Sequence, residues 1–367
     1  MPAVVFRRTE YEVNQRRREL SNSEIAELLA IQAENSTAHL QRAFRRASRR
    51  AFLWPEEAAE LLRQERSLTE LSGVGPYLEG CIRRWIEAPP PLSPPAEIRA
   101  GFLTVTEARA ALANDPDWLV GIRGDLQMHT LWSDGAASVG EMAEAATERN
   151  YEYIAITDHS KGLKIAGGID EEQLREQRKE IDEVNDSLRT AGEKLRLVRS
   201  LELNLDPRGD GDMDTSSLAE LDLVLGCFHS SLRKKEDQTE RYLAGLRNPS
   251  IHILGHPRGR IYNFRLGLRA DWPRVFDVAA ELDKAVEIDA YPDRQDLGPD
   301  LVLLAKKAGC RISLGTDSHG PSQLVFMEFA AASAMLAGMP RERILNFMPR
   351  EELLSWARKL QETQKAA

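Results

Sequence analysis

The sequence predicts an α/β protein in which a barrel of alternating strands and helices follows a small all-α domain. The stretch APPPLSPPAE at residues 88–97 separates the two parts, because clustered prolines favour an extended spacer. Before this stretch the apolar residues recur at helical spacing. After it, seven short apolar runs alternate with amphipathic segments, which is the pattern of a parallel sheet.

The N-terminal domain, residues 1–88, carries a basic stripe on its second predicted helix. In QRAFRRASRRAF, arginines recur at one-face helical spacing without an acid among them: Arg42, Arg45, Arg46, Arg49 and Arg50. Such a face either binds phosphates or is simply solvated, and both interpretations stay open at this point.

The segment SLTELSGVGPYLEGCIRRWIE predicts a helix-hairpin-helix. Gly73 and Gly75 permit a tight turn, and the second helix would present backbone N–H groups to a phosphate. This arrangement can hold a nucleic-acid backbone without reading its bases. Pro76 stands where a lysine or arginine could add a phosphate contact, and a purely structural hairpin is the alternative.

Residues 89–120 are predicted to form a proline-rich linker with a short connecting helix, residues 121–345 the barrel, and residues 346–367 a C-terminal helix or tail. The predicted strands are Asp125–Met128, Tyr153–Thr157, Leu195–Leu201, Leu221–Cys227, Ile251–Gly255, Ala285–Asp289 and Arg311–Gly315. Strands that alternate with helices form parallel sheets, and seven of them indicate a barrel.

The ends of these strands carry the strongest functional signal in the sequence. Five of the seven histidines follow a strand directly, at the edge where parallel barrels build active sites: His129, His159, His229, His256 and His319. The acids beside them or at other strand ends are Asp134, Asp158, Glu202 and Asp317. Imidazole and carboxylate ligands suit Zn²⁺, Mn²⁺ or Fe²⁺, and more than four of them indicate two or three ions, as in phosphoryl transfer. His39 and His252 are predicted to be structural or exposed.

These strings resemble the PHP (polymerase and histidinol phosphatase) domain, in the version at the C-terminus of bacterial family X DNA polymerases. The resemblance rests on RGDLQMHT…SDG, AITDHS, LELN, FHSS, ILGHPRGR, VEIDAYPDRQDL and GTDSH, and it spans residues 121 to about 345. Residues 20–88 are similar to the helical lyase-like domain that opens those polymerases. The segment between the two is too short for a polymerase palm, so DNA synthesis is not expected.

The resemblance implies a distorted (β/α)7 barrel, similar to a TIM barrel, with a site for two or three divalent ions. One ion would take Gln127, His129, Glu202 and Asp317, a second Glu202, His229 and His256, and a third Asp134, His159 and His319. The attacking hydroxide would lie between the first two ions, and the residues expected to act in catalysis are His129, Glu202, His229 and Asp317. Gln127 departs from the usual histidine, and its neutral carbonyl would favour a harder ion such as Mn²⁺.

Residues around the ligands are also assigned by the resemblance. Asp158 is expected to orient a neighbouring imidazole, while Asn204 departs from the family's usual aspartate. Arg260, Arg294 and Lys161 are candidate contacts to the substrate phosphate, with salt bridges at the barrel rim as the alternative.

Composition limits the classes of protein. The 367 residues carry a net charge of −9, which argues against a nucleic-acid coat protein. The lack of a long apolar run and of a signal segment, together with three scattered cysteines (Cys81, Cys227 and Cys310), predicts a cytoplasmic protein with buried thiols.

Three functions compete at this point. A metal-dependent nuclease would process DNA ends from 3′ to 5′, as in DNA repair, with the N-terminal domain on the DNA backbone. A phosphomonoesterase of the histidinol-phosphatase type would act on a small phosphorylated metabolite. A metal-stabilised scaffold would have lost catalysis. The helix-hairpin-helix favours the nuclease.

Overall fold

The computed structural model of the chain describes residues 19–366, with side chains up to residue 363. It divides into two compact units, of which the first ends at Pro94 and the second begins at Pro95. The predictions for residues 1–18 and 367, including the expected lack of a signal segment, lie outside the described residues.

The first unit consists of helices. They are α1 (Asn22–Glu34), α2 (Ala38–Ala51), α3 (Ala58–Arg63) and α4 (Pro76–Glu87). A capping box starts α1: the Ser21 hydroxyl accepts from the Glu24 amide, and the Glu24 carboxylate accepts from the Ser21 amide. Phe44 of α2 and Trp54 are buried in the core of this unit.

The predicted helix-hairpin-helix begins with a single 3-10 turn, Leu68–Glu70, instead of a full helix. The Ser67 side chain caps this turn, and the backbone becomes extended directly after it. Gly73 has a φ of 83°, a left-handed conformation that favours glycine. A Cβ on Gly73 would lie 3.2 Å from Cγ of Arg50, so the end of the basic stripe packs beside the hairpin.

The second unit contains a seven-stranded parallel sheet whose strands lie in chain order. The strands are β1 (Gly124–Asp125), β2 (Tyr153–Ile156), β3 (Arg196–Asn204), β4 (Leu223–Cys227), β5 (Ile253–Leu254), β6 (Ala285–Asp289) and β7 (Arg311–Gly315). Most strand residues are buried, which agrees with continuous apolar runs packed on both faces.

The last strand also lies beside the first, so the sheet forms a nearly closed barrel. The Leu126 amide donates to the Leu314 carbonyl at 3.3 Å, and the Asp317 amide donates to the Gln127 carbonyl at 3.0 Å. The predicted (β/α)7 barrel is confirmed. Regular pairing in β1 is shorter than predicted, because the chain beyond Asp125 makes only isolated hydrogen bonds to its neighbours.

The helices of the second unit surround the barrel. They are α5 (Val105–Leu112), α6 (Asp117–Gly121), α7 (Val139–Glu148), α8 (Glu171–Thr190), α9 (Thr215–Leu218), α10 (Thr239–Arg247), α11 (Trp272–Glu281), α12 (Pro299–Ala308), α13 (Met327–Leu336) and α14 (Arg350–Ala366). The segment predicted as a linker, residues 89–120, therefore holds two helices and joins the second unit from Pro95 onward. The reason is that α5 has an apolar face, on which Ala108 and Leu112 are buried.

The C-terminal helix is part of the barrel core rather than a tail. Leu353, Trp356 and Leu360 of α14 are buried in one cluster with Tyr153 and Ile253, which begin β2 and β5. This helix closes the N-terminal end of the barrel, opposite the end that carries the histidines.

No helix in residues 19–366 is long and apolar enough to cross a lipid bilayer. The three cysteines are all buried free thiols.

Candidate metal centre

The C-terminal ends of the strands bring five histidines into one cluster. They are His129, His159, His229, His256 and His319, which follow β1, β2, β4, β5 and β7. The ring centroids of His129 and His159 are 4.3 Å apart, and those of His129 and His319 are 4.6 Å apart. The barrel assembles them because the ends of its parallel strands share one edge.

The other two histidines lie elsewhere. His39 is exposed on α2 of the first unit. His252 is buried just before β5, where its Nδ1 accepts a hydrogen bond from the Val224 amide at 3.0 Å. His252 therefore has a structural contact at the end of the barrel away from the cluster.

Glu202, on β3, lies at the centre of the cluster and is fully buried. Its Oε1 lies 2.9 Å from Nε2 of His229 and 2.8 Å from Nε2 of His256. Its Oε2 lies 3.2 Å from Nε2 of His129 and 3.4 Å from Nδ1 of His159. A carboxylate that faces imidazoles with both oxygens is suited to bridge two cations.

Asp317 and Gln127 lie beside this centre on the β7 and β1 side. Asp317 Oδ1 lies 3.0 Å from Nε2 of His129, and the Asp317 backbone has a φ of 51°, a strained conformation that often accompanies function. The Gln127 amide group donates to Glu202 Oε2 at 3.2 Å. Its carbonyl oxygen is buried and makes no hydrogen bond, so it is free to act as a ligand.

Asp134 completes the cluster on the side of His319. Its Oδ1 lies 3.4 Å from Nε2 of His319 and 3.6 Å from Nε2 of His159. His129 also contributes here, since its Nδ1 lies 3.8 Å from the same oxygen. Asp134 thus converges with three imidazoles at a point away from Glu202.

The polar atoms of the cluster fit divalent cations. Three of them are buried without a hydrogen bond: Gln127 Oε1, His129 Nδ1 and His159 Nδ1. Buried polar atoms are normally paired, so these atoms offer lone pairs that metal ions can take. Four overlapping sets of potential ligands have their donor atoms within 4.8 Å of one another. The mixture of imidazole and carboxylate suits Zn²⁺, Mn²⁺ or Fe²⁺.

The protonation states of Glu202, Asp134 and His159 suit cation binding. Burial would raise the pKa of Glu202, but the imidazoles around it, His159 foremost, hold that pKa well below its ordinary value. Burial raises the pKa of Asp134, but the hydrogen bond from His319 and the charges of nearby imidazoles outweigh it and lower this pKa to about 2. Burial lowers the pKa of His159 to about 3. At neutral pH the two acids are carboxylates and His159 is neutral, as metal ligation requires.

Asp158 does not have its predicted contact. The sequence predicts that it orients an imidazole, but its carboxylate hydrogen-bonds to none. It accepts instead from the amide and hydroxyl of Thr130, at 2.8 and 2.7 Å, from the Ser133 hydroxyl, and from Gln177 at 2.6 Å. Asp158 therefore holds the loop after β1, because every one of its oxygens is used there.

Arg260 is placed in a structural role rather than at the predicted phosphate contact. From the sequence, a contact to the substrate phosphate and a structural role at the barrel rim are both open, and the structure buries Arg260 among backbone carbonyls. It donates to the carbonyls of Arg294 at 2.9 Å, of Gln295 at 2.7 Å and of Gly101 at 2.7 Å, and it lies over the Phe102 ring. A buried guanidinium with most of its five N–H donors bound to carbonyls connects loops and is not turned toward a phosphate.

The other two predicted phosphate contacts differ in position. Arg294 forms an ion pair with Asp317 and lies 3.7 Å from Asp289 Oδ2, with one third of its side chain (33%) exposed. Burial lowers the pKa of Arg294, but the nearby acidic groups, Asp289 and Glu202 foremost, together outweigh it and the net pKa is raised. Lys161 is exposed on the loop after β2 and pairs with Glu171 at 2.6 Å. Only Arg294 reaches the ligand cluster directly.

The structure adds three residues that the sequence did not single out. Glu287 Oε2 accepts from the His256 amide at 2.8 Å, and burial raises the pKa of Asp289 to about 7. This pair could have been predicted from the sequence, because two acids at alternating positions of an otherwise apolar strand face the same side of the sheet. Cys227 forms one of the potential ligand sets with Glu202 and His256, although the sequence predicts a purely structural thiol.

The predicted DNA contacts of the first unit are on its surface. Arg42, Arg45, Arg46 and Arg49 are exposed along α2. Gly73 forms the turn before α4, and Gly75 caps that helix. Their contact with DNA stays a prediction.

Residues 125–291 match the family model of the PHP domain. The chain is 36% identical over 226 residues to the DNA polymerase/3′-5′ exonuclease PolX of Bacillus subtilis, covering 61% of this chain and 39% of that protein. It is 27% identical over 237 residues to a probable phosphatase of Thermoanaerobacter sp., covering 60% of this chain and 89% of that protein. A solved histidinol phosphate phosphatase of Lactococcus lactis, complexed with zinc, L-histidinol and phosphate, has a TM-score of 0.38 and 17% identity, covering 66% of this chain and 94% of that one.

Proposed function

We propose that this chain, a phosphoester hydrolase with a PHP domain at residues 125–291, removes nucleotides from the 3′ ends of DNA. The observation that carries the proposal is the ligand cluster around Glu202, in a chain that is 36% identical over 226 residues to a DNA polymerase/3′-5′ exonuclease. The reaction adds water to the terminal phosphodiester, breaks the bond from phosphorus to the 3′ oxygen, and releases a nucleotide 5′-monophosphate.

Nine side chains of the cluster would hold two or three divalent ions. They are Gln127, His129, Asp134, His159, Glu202, His229, His256, Asp317 and His319. When bound, such ions lower the pKa of water and neutralise charge on the phosphate oxygens. Gln127 is the one neutral oxygen donor among them, which favours a harder ion such as Mn²⁺.

Arg294 would orient the scissile phosphate. Its guanidinium is charged, partly exposed and paired with Asp317, itself a proposed ligand. When Asp317 gives its oxygens to a cation, the guanidinium can turn its donors to a phosphate oxygen instead. The buried carboxyl group of Asp289 would keep the guanidinium at the cluster during this exchange.

The first unit supports DNA as the substrate. The exposed arginines of α2 lie on one face, and the stem of Arg50 packs beside the glycine hairpin. Arginines and free backbone N–H groups together bind phosphates without base specificity. This surface would hold the DNA backbone.

A phosphomonoesterase for small metabolites is the second candidate. The observation that favours it is the probable phosphatase of Thermoanaerobacter sp., 89% of which is covered by the match to this chain. In such an enzyme the barrel alone would suffice, and the first unit would have another role.

One experiment separates the two. The metal-free protein is reloaded with Mn²⁺ or Zn²⁺ and given 5′-labelled single-stranded and gapped DNA, histidinol phosphate, and an aryl phosphate. His229→Ala is the inactive variant, and His39→Ala is the matched control, because His39 is exposed in the other unit. Progressive shortening from the 3′ end that His229→Ala abolishes would support the nuclease. Turnover of the monoesters alone would refute it in favour of the phosphatase.

A further inference from the structure

A basic cleft lies on the loops that follow β4 and β5. It has a volume of about 500 Å³, and five cations line it: Arg233, Lys234, Lys235, Arg265 and Arg269. None of its lining residues, all from the described part of the chain, is acidic. Two of the cations have acidic partners, because Lys234 lies 3.4 Å from Glu236 and Arg269 lies 3.8 Å from Glu97. In a chain with a net charge of −9, the positive charge that is left favours an anionic ligand.

An aromatic ring stands in this cleft on a fixed support. Phe264 is about half exposed (49%) at the tip of a hairpin in which Ile261 and Arg265 form an antiparallel bridge. The Asn263 amide donates to the Ile98 carbonyl at 3.1 Å, which ties the tip to the barrel unit. The Arg233 guanidinium lies over the ring, 4.5 Å from its centroid. Ring and guanidinium together form a flat cationic platform that stays in solvent.

The two loops that line the cleft begin at the ligand cluster. The first loop follows His229 and the second follows His256, so both loops start at proposed metal ligands. Burial lowers the pKa of Arg265, and the charges of Arg294 and Arg233 lower it further, which places Arg265 within electrostatic range of both. Of these three guanidiniums, Arg233 and Arg265 line the cleft and Arg294 pairs with the proposed ligand Asp317.

We infer that this cleft binds an unpaired strand of DNA on its way to the metal centre, with a base stacked on Phe264 and phosphates paired with Arg233 and Lys235. The inference rests on the proposed function and deepens it by naming single-stranded DNA as the form of substrate. Stacking needs a base whose face is free, which the interior of a duplex does not offer. Cations beside a stacking ring are what single-strand surfaces require.

Binding is measured without hydrolysis, by the fluorescence anisotropy of a labelled oligothymidylate in EDTA. We titrate the full chain with and without the substitutions Arg45→Ala and Arg49→Ala. These substitutions weaken any DNA binding by the first unit, which could otherwise hide the effect of changes in the cleft. Phe264→Ala is compared with Phe264→Trp, and Arg233→Glu with Lys235→Glu. The matched controls are Leu336→Ala and Lys307→Glu, which change an exposed apolar side chain and an exposed cation on other faces of the barrel. The unfolding temperature of each variant reports its folding.

Phe264→Ala should weaken binding roughly 5- to 100-fold, and Phe264→Trp should restore it. Each charge reversal should lower the slope of log affinity against log salt by about 0.7 or more. Folded variants that bind like the controls, or an equal affinity for blunt duplex, would overturn the inference. Binding that behaves as expected with no shortening of DNA in Mn²⁺ would support the cleft and refute the nuclease, so the two failures are distinguishable.

Discussion

The side-chain oxygen of Asn204 lies 3.1 Å from Nδ1 of His229, whose Nε2 lies 2.9 Å from Glu202. An amide oxygen only accepts, so Nδ1 carries the proton and Nε2 keeps its lone pair toward the cluster. Asn204 therefore sets the tautomer and the orientation of a proposed metal ligand.

Replacing Asn204 tests this role. Asn204→Leu should weaken Mn²⁺ binding by about 10- to 100-fold, because His229 loses its orienting acceptor. Asn204→Asp keeps an acceptor at the same place and should bind the metal close to normally. Calorimetric titration of metal-free protein measures both. Equal affinities for wild type and Asn204→Leu would contradict the assignment.

Metal loading should stabilise the fold. The buried carboxylate of Glu202 faces four imidazoles, and several atoms near it lack hydrogen bonds. At about 100 times its Kd, a metal that binds only the folded state adds about 2.7 kcal/mol to the free energy of unfolding. Urea unfolding with Mn²⁺ and with EDTA measures the gain. Glu202→Gln should lose most of it, and the same gain in that variant would argue for a metal bound elsewhere.

Arg260→Met should destabilise the barrel by about 2–4 kcal/mol, since buried carbonyls of two loops lose their donor. Arg189→Met is the matched control, because Arg189 is 66% exposed on α8 and an exposed change costs about 0.5 kcal/mol or less. Chemical denaturation measures both variants. If the Arg260→Met protein is as stable as wild type and has a raised KM, Arg260 contacts the substrate phosphate instead.

Lys284 should make stability depend on pH. Burial lowers its pKa to about 7, below the unfolded value of about 10.4. The unfolded chain then binds more protons between these values, so the Lys284 contribution to stability is complete above about pH 10.4 and is lost as the pH falls toward 7. Lys284→Met removes this dependence.

The free energy of unfolding, measured in urea at pH 7 and at pH 10, checks this. The free energy of unfolding of Lys284→Met should exceed that of wild type by a larger margin at pH 7 than at pH 10. Lys307→Met, at an exposed lysine of α12, should show no such difference. A margin that is equal at the two pH values would mean that Lys284 stays charged in the folded protein.

The sequence by itself determined the barrel and the members of the histidine cluster. Short apolar runs separated by amphipathic segments can only bury both faces as a parallel sheet with helices outside it. A residue directly after such a strand must stand at one edge, so His129 and His256 both reach Glu202 although they are far apart in the chain. This argument uses position along the chain and needs no side-chain direction.

Only the tertiary structure decided which polar group serves the site and which serves the scaffold. Arg260 and Arg294 lie on loops at the same end of the barrel. The Arg260 guanidinium donates to backbone carbonyls, whereas the Arg294 guanidinium forms an ion pair with Asp317 of the ligand cluster. Asp158 follows β2 beside a ligand but holds a neighbouring loop. Such outcomes depend on which unpaired donors and acceptors from distant segments come within about 3 Å, and chain spacing does not encode that distance.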